Sequence, residues 1–242
     1  MGIRTPFVEN EWYHCYSRGI DKRAIFFDTR DYLRFKEILY LANSSRPFHR
    51  RDIPAALAHE DVFSLKRENL LTAVGAYALM PNHFHLLLRE VREGGISAFM
   101  QKLGTAYTMY FNTKYTRSGG LLTGPFRSRH VYEDRYFQHI VGYIHMNPAE
   151  LFEPGWKKGC VKNGLKALKQ KLIAYPYSSF PLFAGEARPE ATIVDASIFN
   201  VYINPPIARI VRDAYEYYKE FSADESPEAR PRGTRERGRR NT

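Results

Sequence analysis

Hydrophobic and polar positions change period several times along the chain, and each change marks an element. Trp12 to Ile20 is aromatic-rich with a glycine near its end, which predicts a first strand. Asp28 and Thr29 then offer caps for a helix, and Tyr32, Phe35, Ile38 and Leu39 give that helix one apolar side. Ser44 to Asn69 mixes Arg, Pro and His with a short helical piece and is expected to be a surface excursion that carries no core. Thr72 to Met80 and His83 to Arg89 are two strand-like runs joined at Pro81-Asn82, which predicts a hairpin. Phe99, Leu103, Ala106, Tyr107 and Tyr110 recur at spacings of three and four, which predicts a helix over Ile96 to Phe111. Leu121 to Tyr132 is expected as a further strand, held to an edge or a bulge by Gly124-Pro125. Asp134 can cap a last helix that runs to about Met146, before Pro148 stops it.

The order β-α-β-β-α-β followed by an extra helix predicts an α+β fold. The expected form is a ferredoxin-like (RRM-like) antiparallel sheet with helices on one face and the extra helix added after it. Residues 1–185 are expected to form this domain, 186–225 a helical extension, and 226–242 an Arg-rich, disordered tail.

Charge narrows the partners. The 242 residues hold 36 Lys+Arg against 26 Asp+Glu, a formal charge of +10, so acidic partners are favoured. Six Arg and two Glu fall between Ser226 and Thr242. A second basic run, Lys157, Lys158, Lys162, Lys166, Lys169 and Lys171, contains no acid and reads equally as a solvated helix face or a phosphate-binding surface. No window approaches the roughly 18 apolar residues that would span a bilayer, and Met1 to Glu9 lacks the apolar stretch of a signal peptide. Two cysteines, Cys15 and Cys160, make neither a disulfide framework nor a zinc pattern, so a cytoplasmic setting without membrane partners is expected.

Candidate chemistry comes from alternation. In a strand, His83 and His85 share one face while Phe84, Leu86 and Leu88 share the other. Two imidazoles at i, i+2 can bind one metal ion, but the pair alone is a weak signal that two half-exposed histidines after a turn also give. On the last helix Phe137, Ile140, Val141 and Ile144 form the stripe that must face the sheet. Tyr143 and Asn147, four apart, stack on its shoulder, either as packing residue and helix stop or as parts of a site.

The run from Tyr77 to His85, with Gly142 to Pro148 downstream, resembles the HUH single-tyrosine transposases, most closely their REP-associated branch. His14 to Arg18, Tyr107 to Asn112 and Tyr175 to Phe180 extend the resemblance over about residues 11–183. It implies that His83, His85 and Asn147 ligate a divalent metal, Mg or Mn, and that Tyr143 is the nucleophile of a catalytic last helix. It also implies a single-strand DNA endonuclease and strand transferase, a transposase acting on single-stranded or hairpin DNA through a 5′-phosphotyrosine, as a monomer or homodimer. The alternative is a non-catalytic DNA-binding module or repressor on the same fold. Gly120, Thr123 and Pro125 stand where relatives tend to carry His, Gln and Arg, which changes the DNA contacts of that segment. Lys102, Arg127, Arg129, Lys157, Lys158 and Lys162 are the candidate phosphate contacts. Tyr136 is the rival nucleophile, seven residues before Tyr143, and His130, His139 and His145 are expected at the surface.

Overall fold

A computed structural model describes residues 6–48, 57–132, 134–158, 161–202 and 204–224, with side chains up to residue 219 and excepting those of 134 and 135. The Arg-rich tail, Cys160 and the Asp134 side chain lie outside what is described.

Four strands, β1 (Trp12–Arg18), β2 (Thr72–Met80), β3 (His83–Glu90) and β4 (Arg127–Val131), form one sheet in the order β2-β3-β1-β4. Every neighbouring pair is antiparallel. The expected α+β, ferredoxin-like arrangement is present. The hairpin is bounded as the two strand-like runs and their turn predict, apart from one more residue, Glu90, at the end of β3. β1 stops at Arg18, because Ile20–Lys22 turns away as a 3₁₀ segment. A side chain at Gly19 would meet the carbonyl oxygen of Arg23 at 2.2 Å, so this turn requires glycine.

The helices are α1 (Thr29–Leu41), α2 (Gly95–Lys114), α3 (Asp134–Met146), α4 (Leu165–Ala174), the single turns α5 (Phe180–Phe183) and α6 (Ile198–Val201), and α7 (Ile207–Asp224). Asp28 caps α1 reciprocally with Asp31 in a capping box. Helices α1 and α2 cover the Phe84 face, where Phe35 meets Phe84 at 4.9 Å and Tyr107 at 4.9 Å between ring centroids. Helix α3 covers the opposite face: Phe137 meets Trp12 at 5.4 Å, and Ile140, Val141 and Ile144 are buried as the stripe requires. Helix α7 packs along α3. Among the described residues no helix is long and apolar enough to cross a membrane.

Two expectations are corrected. The excursion after Ser44 does carry core: Val62 and Phe63 are buried, and Phe63 packs edge-on against Tyr40. The last strand begins at Arg127 rather than Leu121. Gly124 takes φ +56° and Pro125 has no N–H to donate, so only an isolated bridge from Leu122 to Gly19 precedes the ladder.

Candidate active site

The site forms where β3 passes beneath α3. Antiparallel register sets Tyr16 opposite His85 and His14 opposite Leu87, so His14, Tyr16, His83 and His85 emerge on one face. The rings of His83 and His85 are 5.0 Å apart and nearly perpendicular. Tyr143 reaches that face from α3, its ring 5.5 Å from His85 and 5.8 Å from His14. Asn147, one turn further on, opens a 3₁₀ segment with Pro148. All four predicted chemical residues, His83, His85, Tyr143 and Asn147, line a cleft of about 630 Å³.

Asn147 is fully buried, and its Nδ2 donates to the Tyr143 carbonyl at 2.8 Å. A carbonyl only accepts, so the nitrogen end faces it and the oxygen end is left over. That Oδ1 is buried and has no hydrogen-bond partner among the described residues. A buried oxygen without a donor, in the same cleft as two imidazoles, is what a cation ligand needs, so these three side chains fit a divalent metal. Among the described residues no group of three His, Cys, Asp or Glu side chains could hold one, so a third donor here would be the Asn147 amide.

Burial, and then the charges of Arg18 and Lys157, lowers His83 to about 3. Burial, followed by the neighbouring His14 and His83, holds His85 well below its ordinary range. His14 is lowered to about 3 by burial and by Arg129. All three imidazoles are therefore neutral near pH 7, the form that offers a lone pair.

The cleft wall carries Arg18, Lys22, Arg127 and Lys157 against one carboxylate, Asp21. Lys157 also pairs with Glu150 at 2.7 Å. Thr123 and Pro125, two of the positions that depart from the family pattern, line the same cleft. Lys158 and Lys162 are exposed outside it. Arg129 lies over the ring of Tyr217, 5.7 Å from its centroid. Lys102 is not brought to the site: it rises from α2 on the other side of the sheet and donates to the carbonyls of Ser44, Ser45 and Arg46. Tyr136 packs near Tyr132 and His139, two turns from Tyr143. His130 is exposed and meets Glu11, whereas His145 is buried against Ser179, contrary to its expected surface position.

Sequence reasoning missed three contributors. His14 sits behind His85 with 2.8 Å between their ring nitrogens. Tyr217 of α7 reaches His14 at 3.1 Å and stacks obliquely near Tyr143 at 5.0 Å, leaving Tyr143 only 3% exposed. Tyr218 lines the cleft. The i, i+2 relation of His14 to Tyr16 and the spacing of Ile207, Ile210, Val211, Ala214, Tyr217 and Tyr218 were the available signals.

Residues 55–149 match the family model described as Transposase IS200 like. No curated protein matches the chain at a significant level. A solved structure titled "Structure of the REP associates tyrosine transposase bound to a REP hairpin" is similar at 16% identity and a TM-score of 0.46, over 82% of this chain and 96% of that one. The matched segment holds both histidines, the tyrosine and the asparagine, and over it the chain is similar to the IS200-like transposases.

Proposed function

We propose that this chain is a metal-dependent single-strand DNA endonuclease and strand transferase that uses Tyr143 as its nucleophile. The observation that carries the reading is the convergence of Tyr143, from α3, and Asn147, from the 3₁₀ turn after it, on His83 and His85, from β3, in one cationic cleft. His83, His85 and Asn147 would hold the ion, Mg²⁺ or Mn²⁺. When bound, it supplies a Lewis acid for the oxygens of the scissile phosphate.

The chain's own residues do the rest. Arg18, Lys22, Arg127 and Lys157 hold the backbone phosphates of a single-stranded or hairpin DNA. The Tyr143 hydroxyl attacks phosphorus: a tyrosyl O–P bond forms, the bond from phosphorus to the 3′ oxygen breaks, and the proton lost by tyrosine is matched by one gained at that oxygen. The product is a 5′-phosphotyrosine and a free 3′-hydroxyl. A 3′-hydroxyl of another strand reverses the step and restores Tyr143, so joining needs no nucleotide cofactor.

A denaturing gel tests this, with labelled hairpin oligonucleotides from the repeats flanking the gene, in Mn²⁺ or Mg²⁺. A protein–DNA adduct that requires the metal and disappears in Tyr143→Phe and His83→Ala is the expected result. Cleavage that persists in Tyr143→Phe overturns the nucleophile. The burial of Tyr143 under Tyr217 favours a second reading, binding without cleavage. That reading requires retained DNA binding with no adduct across all the repeats.

A further inference from the structure

Two neighbouring hydrogen bonds decide which ring nitrogen of His83 is open. Asn82, in the turn between β2 and β3, donates from Nδ2 to the Lys22 carbonyl at 3.0 Å. The amide orientation follows, because that carbonyl accepts only from the nitrogen end. The atom 2.6 Å from His83 Nδ1 is therefore Asn82 Oδ1, which also only accepts. So His83 carries its proton on Nδ1 and keeps the lone pair on Nε2.

His85 has a longer chain of partners. Its Nδ1 is 2.8 Å from His14 Nε2, and His14 Nδ1 is 3.1 Å from the Tyr217 hydroxyl. Two proton arrangements satisfy these distances. In one, Tyr217 donates to His14 and His14 donates to His85, which places the His85 proton on Nε2 and closes that nitrogen to a cation. In the other, His85 donates from Nδ1 to His14, and His14 donates from Nδ1 to the Tyr217 oxygen. Only the second leaves both His83 and His85 with open Nε2 atoms. The number of protons is the same in both, and a tyrosine hydroxyl serves either as donor or as acceptor.

We propose that Asn82, His14 and Tyr217 are positioning residues for the metal site: Asn82 sets the tautomer of His83, and His14, with the Tyr217 oxygen behind it as acceptor, takes the hydrogen bond from His85 Nδ1 that leaves His85 Nε2 open when the ion binds. The proposal rests on the reading of both histidines as metal ligands. It makes α7, which lies outside the segment that matches the transposase family, a partner in metal affinity. His14 is fully buried and is absent from the cleft wall, as a residue acting behind the ligand should be. Such outer partners typically change metal affinity by about 10–100-fold when removed.

The test uses the full chain with ¹⁵N-labelled histidine and long-range ¹H–¹⁵N correlation spectra at pH 8, assigned with His83→Gln and His85→Gln. His83 is expected with a protonated Nδ1 without metal, and His85 likewise once Mg²⁺ is present. Calorimetric titration with Mn²⁺ gives the second readout. Asn82→Ala and Tyr217→Phe are each expected to weaken binding by about tenfold or more, and Asn82→Asp, which keeps the acceptor, restores it. Thermal melts by circular dichroism confirm that the variants fold. A His83 proton found on Nε2 overturns the proposal. So does wild-type Mn²⁺ affinity in Asn82→Ala and Tyr217→Phe while His85→Ala abolishes binding, a result that leaves the metal reading standing. A wild-type chain that binds no Mn²⁺ overturns the metal reading, and this proposal with it.

Discussion

The two faces of strand β3 have opposite tasks although their residues alternate one by one. Phe84, Leu86 and Leu88 point toward α1 and α2, into a closed aromatic and aliphatic layer with Phe35, Phe99 and Tyr107. His83 and His85 point toward α3, into a layer of imidazoles, phenols and an amide that opens on a cationic cleft. The first face buys the stability that lets the second hold buried polar groups such as the Asn147 oxygen, which is left without a donor. A fold with one dry face can place buried, unsatisfied polar groups on the other, because the cooperative unit is the whole sheet.

Truncation on the dry face should have the largest effect. Phe84→Ala is expected to cost about 3–5 kcal/mol of stability, read from urea unfolding. A loss below about 1 kcal/mol would mean that this face is not the foundation described. Acid should come next, through the tie between the two ends of the chain. Lys36, 3% exposed on α1, pairs with Glu190 at 2.7 Å. Burial alone would raise Glu190, but its hydrogen bond to Lys36 and the lysine charge outweigh burial and hold it below its ordinary value. A depressed carboxylate stabilises above its unfolded pKa and loses that contribution as pH falls through the folded one. The stability difference between wild type and Glu190→Gln should therefore be constant above about pH 5 and shrink below about pH 4.5. A difference that grows on acidification would show the sign to be wrong.

On the site face the effects should be small in stability and visible in binding. Arg127→Ala and Lys157→Ala are each expected to lower the slope of log K for single-stranded DNA against log salt by about 0.7. An unchanged slope would remove that side chain from the phosphate path. Smallest of all, Tyr143→Phe should shift the unfolding free energy by about 1 kcal/mol or less, although it is expected to end adduct formation. A shift of several kcal/mol would make Tyr143 a structural residue and erase the contrast between the faces.

Much of this contrast was legible in the sequence. The β2–β3 hairpin and α3 were readable because a turn at Pro81-Asn82 between two strand-forming runs and a stripe at i, i+3, i+4, i+7 are set by local geometry. Tyr143 and Asn147 followed from helical spacing, and a resemblance supplied their roles. What could not be read was partner choice. Alternation placed His14 on a face of β1, but only the β1–β3 register puts it behind His85. The apolar spacing of α7 marked a helix that must dock, yet nothing local said that it docks on α3 with Tyr217 beside Tyr143. Lys102 misled for the complementary reason: charge has no direction in a sequence, and its ammonium is spent on three loop carbonyls. Phe63 was missed because a segment rich in Arg, Pro and His hides a single apolar anchor.

The segments after α4 also run along the outer edge of β2. Leu79 donates to the Tyr177 carbonyl, Ser179 donates to the Tyr77 carbonyl, and Asp195 donates to the Val74 carbonyl, each from its backbone N–H at 2.8–2.9 Å. An uncovered edge of small and aliphatic residues would offer a ready template for strand pairing between molecules. The late part of the chain thus acts as a seal against aggregation. A fragment cut after Asn147, although it would keep every candidate ligand and the nucleophile, would carry an open seam along Val74 to Leu79 and come out of solution as intermolecular sheet.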